Sequence, residues 1–168
     1  MILRNFIFTV VATCSLLFGY VDMMVGANTS SQPVASEFEK AVEVIKKYEG
    51  LHKNKGNLVG YGHKILPGEP YKRNQTLTEE QADELLRKDL AKLCERYREF
   101  GKDSLILSAL AYNCGIGVVA KSSVLKNLKA GNRDIKAAYL AHSKYRGKTL
   151  SQLKRRRTEE YEVLFKED

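Results

Sequence analysis

Apolar residues along this chain recur with the spacing of helices, and the stretches between them are polar or rich in glycine. Phe38, Ala41, Val42, Ile45 and Tyr48 follow a 3.6-residue period. Ser36 is placed to cap that helix, with Glu39 three residues on at capping-box spacing, and Gly50 is placed to end it. The segment NKGNLVGYGH, Asn54 to His63, loses the period and suits a tight hairpin or loop. Thr78 and Gln81 form a second capping box ahead of an amphipathic helix that turns Ala82, Leu85, Leu86, Leu90, Leu93 and Tyr97 inward. Asp103 or Ser104 opens a third helix whose run from Leu105 to Cys114 is apolar nearly all round, the mark of a central buried helix. Shorter helices are expected over Ser123–Lys129, Arg133–His142 and Ser151–Phe165. Strand signals are scarce, so the pattern predicts a mostly α (α+β) fold with one small β-hairpin.

The first 27 residues stand apart. A short positive start at Arg4 precedes the uncharged run FIFTVVATCSLLFGY, and Val25-Gly26-Ala27 offers small residues for cleavage. This is the form of a secretory signal peptide, shorter in its apolar run than the ~20 residues a membrane span needs. Cys14 sits inside the run with apolar residues after it, which disfavours acylation there. Residues 28–36 (NTSSQPVAS) are expected as a flexible tail and 37–168 as one compact domain. A net charge of +8, from 28 Lys+Arg against 20 Asp+Glu, favours a polyanionic partner: nucleic acid, anionic lipid or an acidic wall polymer. The leader argues for the envelope over nucleic acid, and the expected location is secreted or periplasmic. Beyond the leader, Cys94 and Cys114 remain; export permits a disulfide, but each sits in an apolar helical pattern and reads as a buried thiol.

Glu49 is the first candidate for chemistry. Val42, Ile45 and Glu49 share one helix face, and Glu49 also lies at the negative end of the helix dipole. Both circumstances disfavour the anion, as a general acid requires. The same spacing also suits an ordinary solvated glutamate in the last turn before a C-cap glycine. Gly60-Tyr61-Gly62-His63 follows, with two glycines that permit a sharp turn and close approach by a ligand. His63 reads equally as a structural hydrogen-bonding residue. His52 and His142 are isolated, and no cluster has metal-ligand or phosphate-cradling spacing, so no metal and no cofactor are expected.

Taken together, these segments resemble the phage-type lysozymes, an endolysin group of glycoside hydrolases. Tyr48-Glu49-Gly50 followed by Val59-Gly60-Tyr61-Gly62-His63 is similar to the start of that family. Thr78-Glu79-Glu80-Gln81-Ala82 looks like its second capped helix, and Ala111-Tyr112-Asn113-Cys114-Gly115 looks like its central motif. Ser123-Val124-Leu125, Ala130-Gly131-Asn132 and Arg156-Arg157-Thr158-Glu159-Glu160 continue the likeness in order, from about Glu37 to Phe165. The resemblance implies a lysozyme-like fold, with a helical lobe and one small hairpin flanking a cleft. It implies peptidoglycan as substrate, with cleavage of the β-1,4 bond between N-acetylmuramic acid and N-acetylglucosamine. Glu49 would be the general acid, and Asn57, Tyr61, His63, Tyr112 and Asn113 would meet the glycan. A monomer with no nucleic-acid partner is expected.

One departure matters. The family usually carries an Asp and a Thr between the acid and the glycine turn, whereas GLHKNKGNLVGYGH contains neither. Glycosidic hydrolysis ordinarily uses two carboxylates. Glu69 or Asp103 folding into the cleft would supply the second. Asn57, Tyr61 or His63 positioning water would do without one. A lytic transglycosylase needs a single acid, because the sugar's own 6-hydroxyl attacks, and a silent wall-binding protein needs none. From Lys144 to Arg157 there are seven Lys/Arg and no acid, which reads as a solvated face drawn to anionic envelopes, with Arg156 alternatively internal and paired with Glu160.

Overall fold

The computed structural model describes residues 32–166, with side chains from 37 onward except at 145. The expected signal peptide, 1–27, lies outside the described residues. Helix α1 spans Gln32–Glu49. It begins upstream of the expected cap, so Ser36 falls inside it and 32–36 are helical where a loose tail was expected. Pro33 sits in its first turn, where a missing N–H costs no helical bond. Val42 and Ile45 are fully buried, and the helix ends before Gly50 as its pattern predicts.

Strands β1 (Leu58–Val59) and β2 (His63–Lys64) pair antiparallel, Leu58 with Lys64 and Val59 with His63. Gly60, at φ 57°, packs so tightly on the segment that follows the hairpin that an added methyl would lie 3.3 Å from the Ala82 side chain. Helix α2 (Glu79–Arg96) opens with the complete Thr78–Gln81 capping box. A 3-10 stretch, Arg98–Asp103, leads into α3 (Ser104–Cys114). Every residue of α3 from Leu105 to Ala111 is buried, and Ser108 is satisfied by donating to the Ser104 carbonyl at 2.7 Å. Ile45, Leu86, Leu90, Ile106, Leu107, Leu110 and Ile135 are fully buried. Each such side chain stabilises the fold by about 1.5–3 kcal/mol relative to exposure.

Helices α4 (Ile116–Ala120), α5 (Ser123–Lys129) and α6 (Lys136–Leu140) wrap the core. The helix expected from Arg133 starts later. Asn132 turns the backbone by accepting from Asp134 N at 2.9 Å, and Asp103 holds the Arg133 guanidinium. The helix also ends early, in a 3-10 turn over Ala141–Ser143. A second antiparallel ladder, absent from the sequence expectation, pairs β3 (Lys144–Tyr145) with β4 (Lys148–Thr149) across Arg146-Gly147. Strands of two residues carry no alternating pattern to read. Helix α7 (Ser151–Leu164) closes the structure against α1, α3 and α6, burying Arg156, Arg157 and Glu160 beside Tyr161 and Leu164. The described residues therefore form a mostly α (α+β) fold. Among them no helix is long and apolar enough to cross a membrane.

Candidate active site

The ends of α1 and α3 meet the hairpin and one face of α7, and Glu49 lies at that junction. Its Oε1 accepts from Asn113 Nδ2 at 3.1 Å and from Arg156 Nη1 at 2.7 Å. Arg156 Nε donates to Glu160 Oε1 at 2.7 Å, and Arg157 donates to Glu160 Oε2. Arg157 also donates to Asn113 Oδ1, which closes a ring of hydrogen bonds through Glu49, Arg156, Glu160, Arg157 and Asn113. Tyr139 donates to Glu160 Oε2 at 2.8 Å. Two guanidinium groups and two carboxyl groups meet in this largely buried network. The local cause is the spacing of α7. Positions 156 and 157 lie four and three residues before Glu160, so both arginines reach one carboxylate.

The ring bears on the expectation for Glu49. The Arg156 guanidinium that reaches Glu49 is shared with Glu160. Oε1 is saturated by its two donors. Oε2 points toward the hairpin, where a methyl on Gly62 would sit 3.4 Å from it. Gly62, at φ 97°, thus admits the carboxyl to the turn in a backbone conformation that L side chains rarely adopt.

The other sequence-selected residues are distributed as follows. Tyr112 is half-buried and donates to the Tyr61 carbonyl at 3.0 Å, tying α3 to the hairpin turn. Tyr61 is itself 5% exposed, with its hydroxyl 3.4 Å from Glu79 and the Lys46 ammonium over its ring. Asn57 is exposed, and its carbonyl accepts from Ile65 N. His63 is buried between two carboxylates, with Nδ1 2.5 Å from Asp89 and Nε2 2.8 Å from Glu69. Burial disfavours the imidazolium, but the hydrogen-bonded Glu69 and Asp89 outweigh it and hold His63 above the usual histidine range. Glu69 is thus committed to His63, and Asp103 to a two-pronged bond with Arg133 at 2.7 and 2.9 Å. Neither supplies a free carboxylate beside Glu49. Cys94 and Cys114 are separate, half-buried thiols, and Cys114 Sγ lies 3.4 Å from Arg157. Among the described residues, no group of three or more His, Cys, Asp or Glu is arranged to hold a metal ion.

A groove of about 520 Å³ opens beside Gly62; its lining includes Leu66, Leu93, Tyr112 and Ile116, the cations Lys64 and Lys92 and the carboxylates Glu69 and Asp89, but not Glu49. Sequence reasoning missed three participants. Arg156 was paired with Glu160 but not with Glu49, Asp89 gave no local signal, and His52 looked isolated. His52 Cε1 in fact lies 3.9 Å from a methyl built on Gly62, on the same glycine as the acid.

Comparisons with known proteins place the chain among relatives. The phage lysozyme family model matches residues 40–160. The chain is similar to the endolysin of Bacillus phage B103, 32% identical over 143 residues, covering 73% of this chain and 51% of that protein. It is likewise similar to the endolysin of Bacillus phage PZA, 29% identical over 137 residues, covering 73% and 52%. The chain spans about half the length of these curated relatives. Among solved structures it resembles an endolysin from Escherichia coli O157:H7 phage FAHEc1, with TM-score 0.60, 27% identity, and coverage of 74% of this chain and 90% of that one. It also resembles the muramidase domain of SpmX from Asticaccaulis excentricus, with TM-score 0.62, 26% identity, and coverage of 76% and 95%. The acid at the end of the opening helix, the glycine turn, and a family match running from α1 to α7 lead to one assignment: this chain belongs to the phage lysozyme family.

Proposed function

We propose that this protein is a peptidoglycan-cleaving muramidase that hydrolyses the β-1,4 bond between N-acetylmuramic acid and N-acetylglucosamine, with Glu49 as general acid. The observation that carries the reading is the asymmetry of the Glu49 carboxyl. Two donors occupy Oε1, so a proton on this group resides on Oε2, the oxygen at the glycine gap. From there it passes to the leaving glycosidic oxygen. Asn113 fixes the plane of the carboxyl. Tyr112 sets the hairpin against α3 and presents a wall to the sugars, and Asn57 meets the glycan from the open side of the hairpin. Tyr61 and His63 support the turn from within, as their burial suggests. The apolar floor of the groove suits sugar faces, and its lysine edge suits the carboxylates of peptide stems.

The reading extends to a secreted or periplasmic monomer, exported by residues 1–27 and drawn to anionic envelopes by its charge of +8. The names of the similar proteins, endolysins and a muramidase domain, point the same way. The test is clearing of purified cell walls. Glu49→Gln keeps the acceptor for Asn113 and Arg156 but has no proton to give, and is expected to slow clearing by roughly 10²–10⁴-fold. Equal clearing by both proteins would remove the mechanism.

A second reading, lytic transglycosylation, is favoured by the commitment of Glu69 and Asp103 to other partners, which leaves a single acid. Mass spectrometry of released muropeptides separates the two, because the hydrolytic product is heavier by one water. Retention on insoluble walls with no release would instead mark a binding protein.

A further inference from the structure

We infer that His52 is the base of this site, taking the proton from the attacking water in place of a second carboxylate; the inference rests on the muramidase reading above. Hydrolysis at a glycosidic centre needs a group to activate or orient water as well as an acid. The neighbouring carboxylates are committed elsewhere. Glu159 holds Lys47 and Tyr48, Glu160 is fully buried between two arginines, Glu69 and Asp89 bracket His63, and Asp103 holds Arg133. What shares the Gly62 gap with Glu49 is an imidazole. A methyl on that glycine would touch both groups, at 3.4 Å from Glu49 Oε2 and 3.9 Å from His52 Cε1.

Two further observations single out His52. Its Nδ1 is buried with no hydrogen-bond partner, an unusual state for a ring nitrogen that packing alone would not favour. The half-buried ring leaves Nε2 as the nitrogen that reaches solvent. Nε2 is therefore the ring nitrogen available to accept a proton from water. The short loop makes this placement possible. His52 follows Glu49 by three residues, and its backbone N–H donates to the Gly60 carbonyl at 2.8 Å, so the ring is anchored to the hairpin as well as to the helix end.

The step balances. A water O–H proton passes to His52 Nε2 while its oxygen bonds to C1 of the muramic acid ring. The bond from C1 to the bridging oxygen breaks, and that oxygen takes the proton from Glu49 Oε2. The imidazolium then returns a proton through water to the Glu49 carboxylate, and both groups are restored.

The experiment measures muropeptide release from purified walls by the wild type, Glu49→Gln, His52→Ala and His52→Gln, together with thermal melting and retention on insoluble walls. Both His52 variants are expected to melt like the wild type, to bind walls within about twofold, and to lose roughly 10²-fold or more of hydrolytic release. Free imidazole is expected to restore part of that release to His52→Ala and none to Glu49→Gln, which a packing role would not produce. Hydrolytic release by both His52 variants at the wild-type rate, with Glu49→Gln inactive, overturns the assignment of His52 and leaves the muramidase reading standing. Lost release that imidazole does not restore makes His52 a packing residue and also overturns it. A wild type that releases nothing overturns both readings.

Discussion

Two charged clusters adjoin Gly62, and they meet water differently. The ring beneath Glu49 is dry, with Arg156 3% exposed and Arg157 and Glu160 fully buried. The clasp that locks the hairpin to α2 is wetter, with the Asp89 and Glu69 side chains 17% and 25% exposed around His63. The ring is built from arginines, which keep their charge throughout the working pH range, and Arg156 engages it through Nε and Nη1 while its buried Nη2 makes no hydrogen bond. The clasp turns on a histidine, the side chain whose charge changes near neutrality. Glu49 is thus held by an arginine and an amide, and the hairpin beside it by a histidine.

The sharpest way to break this contrast is to take one member out of the ring. Glu160→Ala leaves two buried guanidinium groups and the Tyr139 hydroxyl without their shared acceptor. Removing one partner of a buried pair costs about 3–5 kcal/mol. Urea unfolding is expected to show a loss of that size; a loss of a few tenths would mean that water already reaches the ring.

Gly62→Ala tests the shared boundary. The left-handed backbone there strains an alanine by about 1–3 kcal/mol. The added methyl would also come into van der Waals contact with Glu49 Oε2, at 3.4 Å, in the space beside that oxygen. Wall clearing is expected to fall at least ~10-fold, since small displacements of reacting groups are costly. A fall in melting temperature with clearing unchanged would separate strain from catalysis.

The clasp predicts the smallest effect and its sign. His63 binds its proton more tightly in the folded protein than in the unfolded chain. Its contribution is therefore fully present below about pH 6.5 and is lost as pH rises through the raised native value. The melting temperature is expected to fall by about 2–4 °C across that window, as for the loss of about 1 kcal/mol. In His63→Gln this step should vanish. A wild-type profile flat from pH 6 to 9 would show that the clasp carries no net stability.

Much of this architecture was legible before any coordinates. Helices α2 and α5 match their expected extents because their signals are local: a capping box in one, a serine cap and apolar spacing in the other. Helix α3 stands out by its apolarity alone. By contrast α7 is strongly polar by composition yet buries three charged residues, and hydrophobicity cannot announce a core made of arginine and glutamate. Glu49 stood out as a candidate from its face of the helix together with the family resemblance. Its holders did not, because Asn113 and Arg156 lie 64 and 107 residues away and meet it only in the fold. His52 was hidden for the opposite reason. It sits three residues from the acid, but only the return of the hairpin brings Gly62 between them.

The 107-residue span from Glu49 to Arg156 has a consequence for the life of the protein. Synthesis proceeds from the N-terminus, so a ribosome that has finished α3 has already made the acid, the glycine gap and Asn113, but not the arginines that orient them. A nascent or truncated product lacking α7 carries Glu49, Gly62 and Asn113 without the arginines that hold them. Completion of the Glu49 network is therefore a late event in biogenesis, set by the docking of α7.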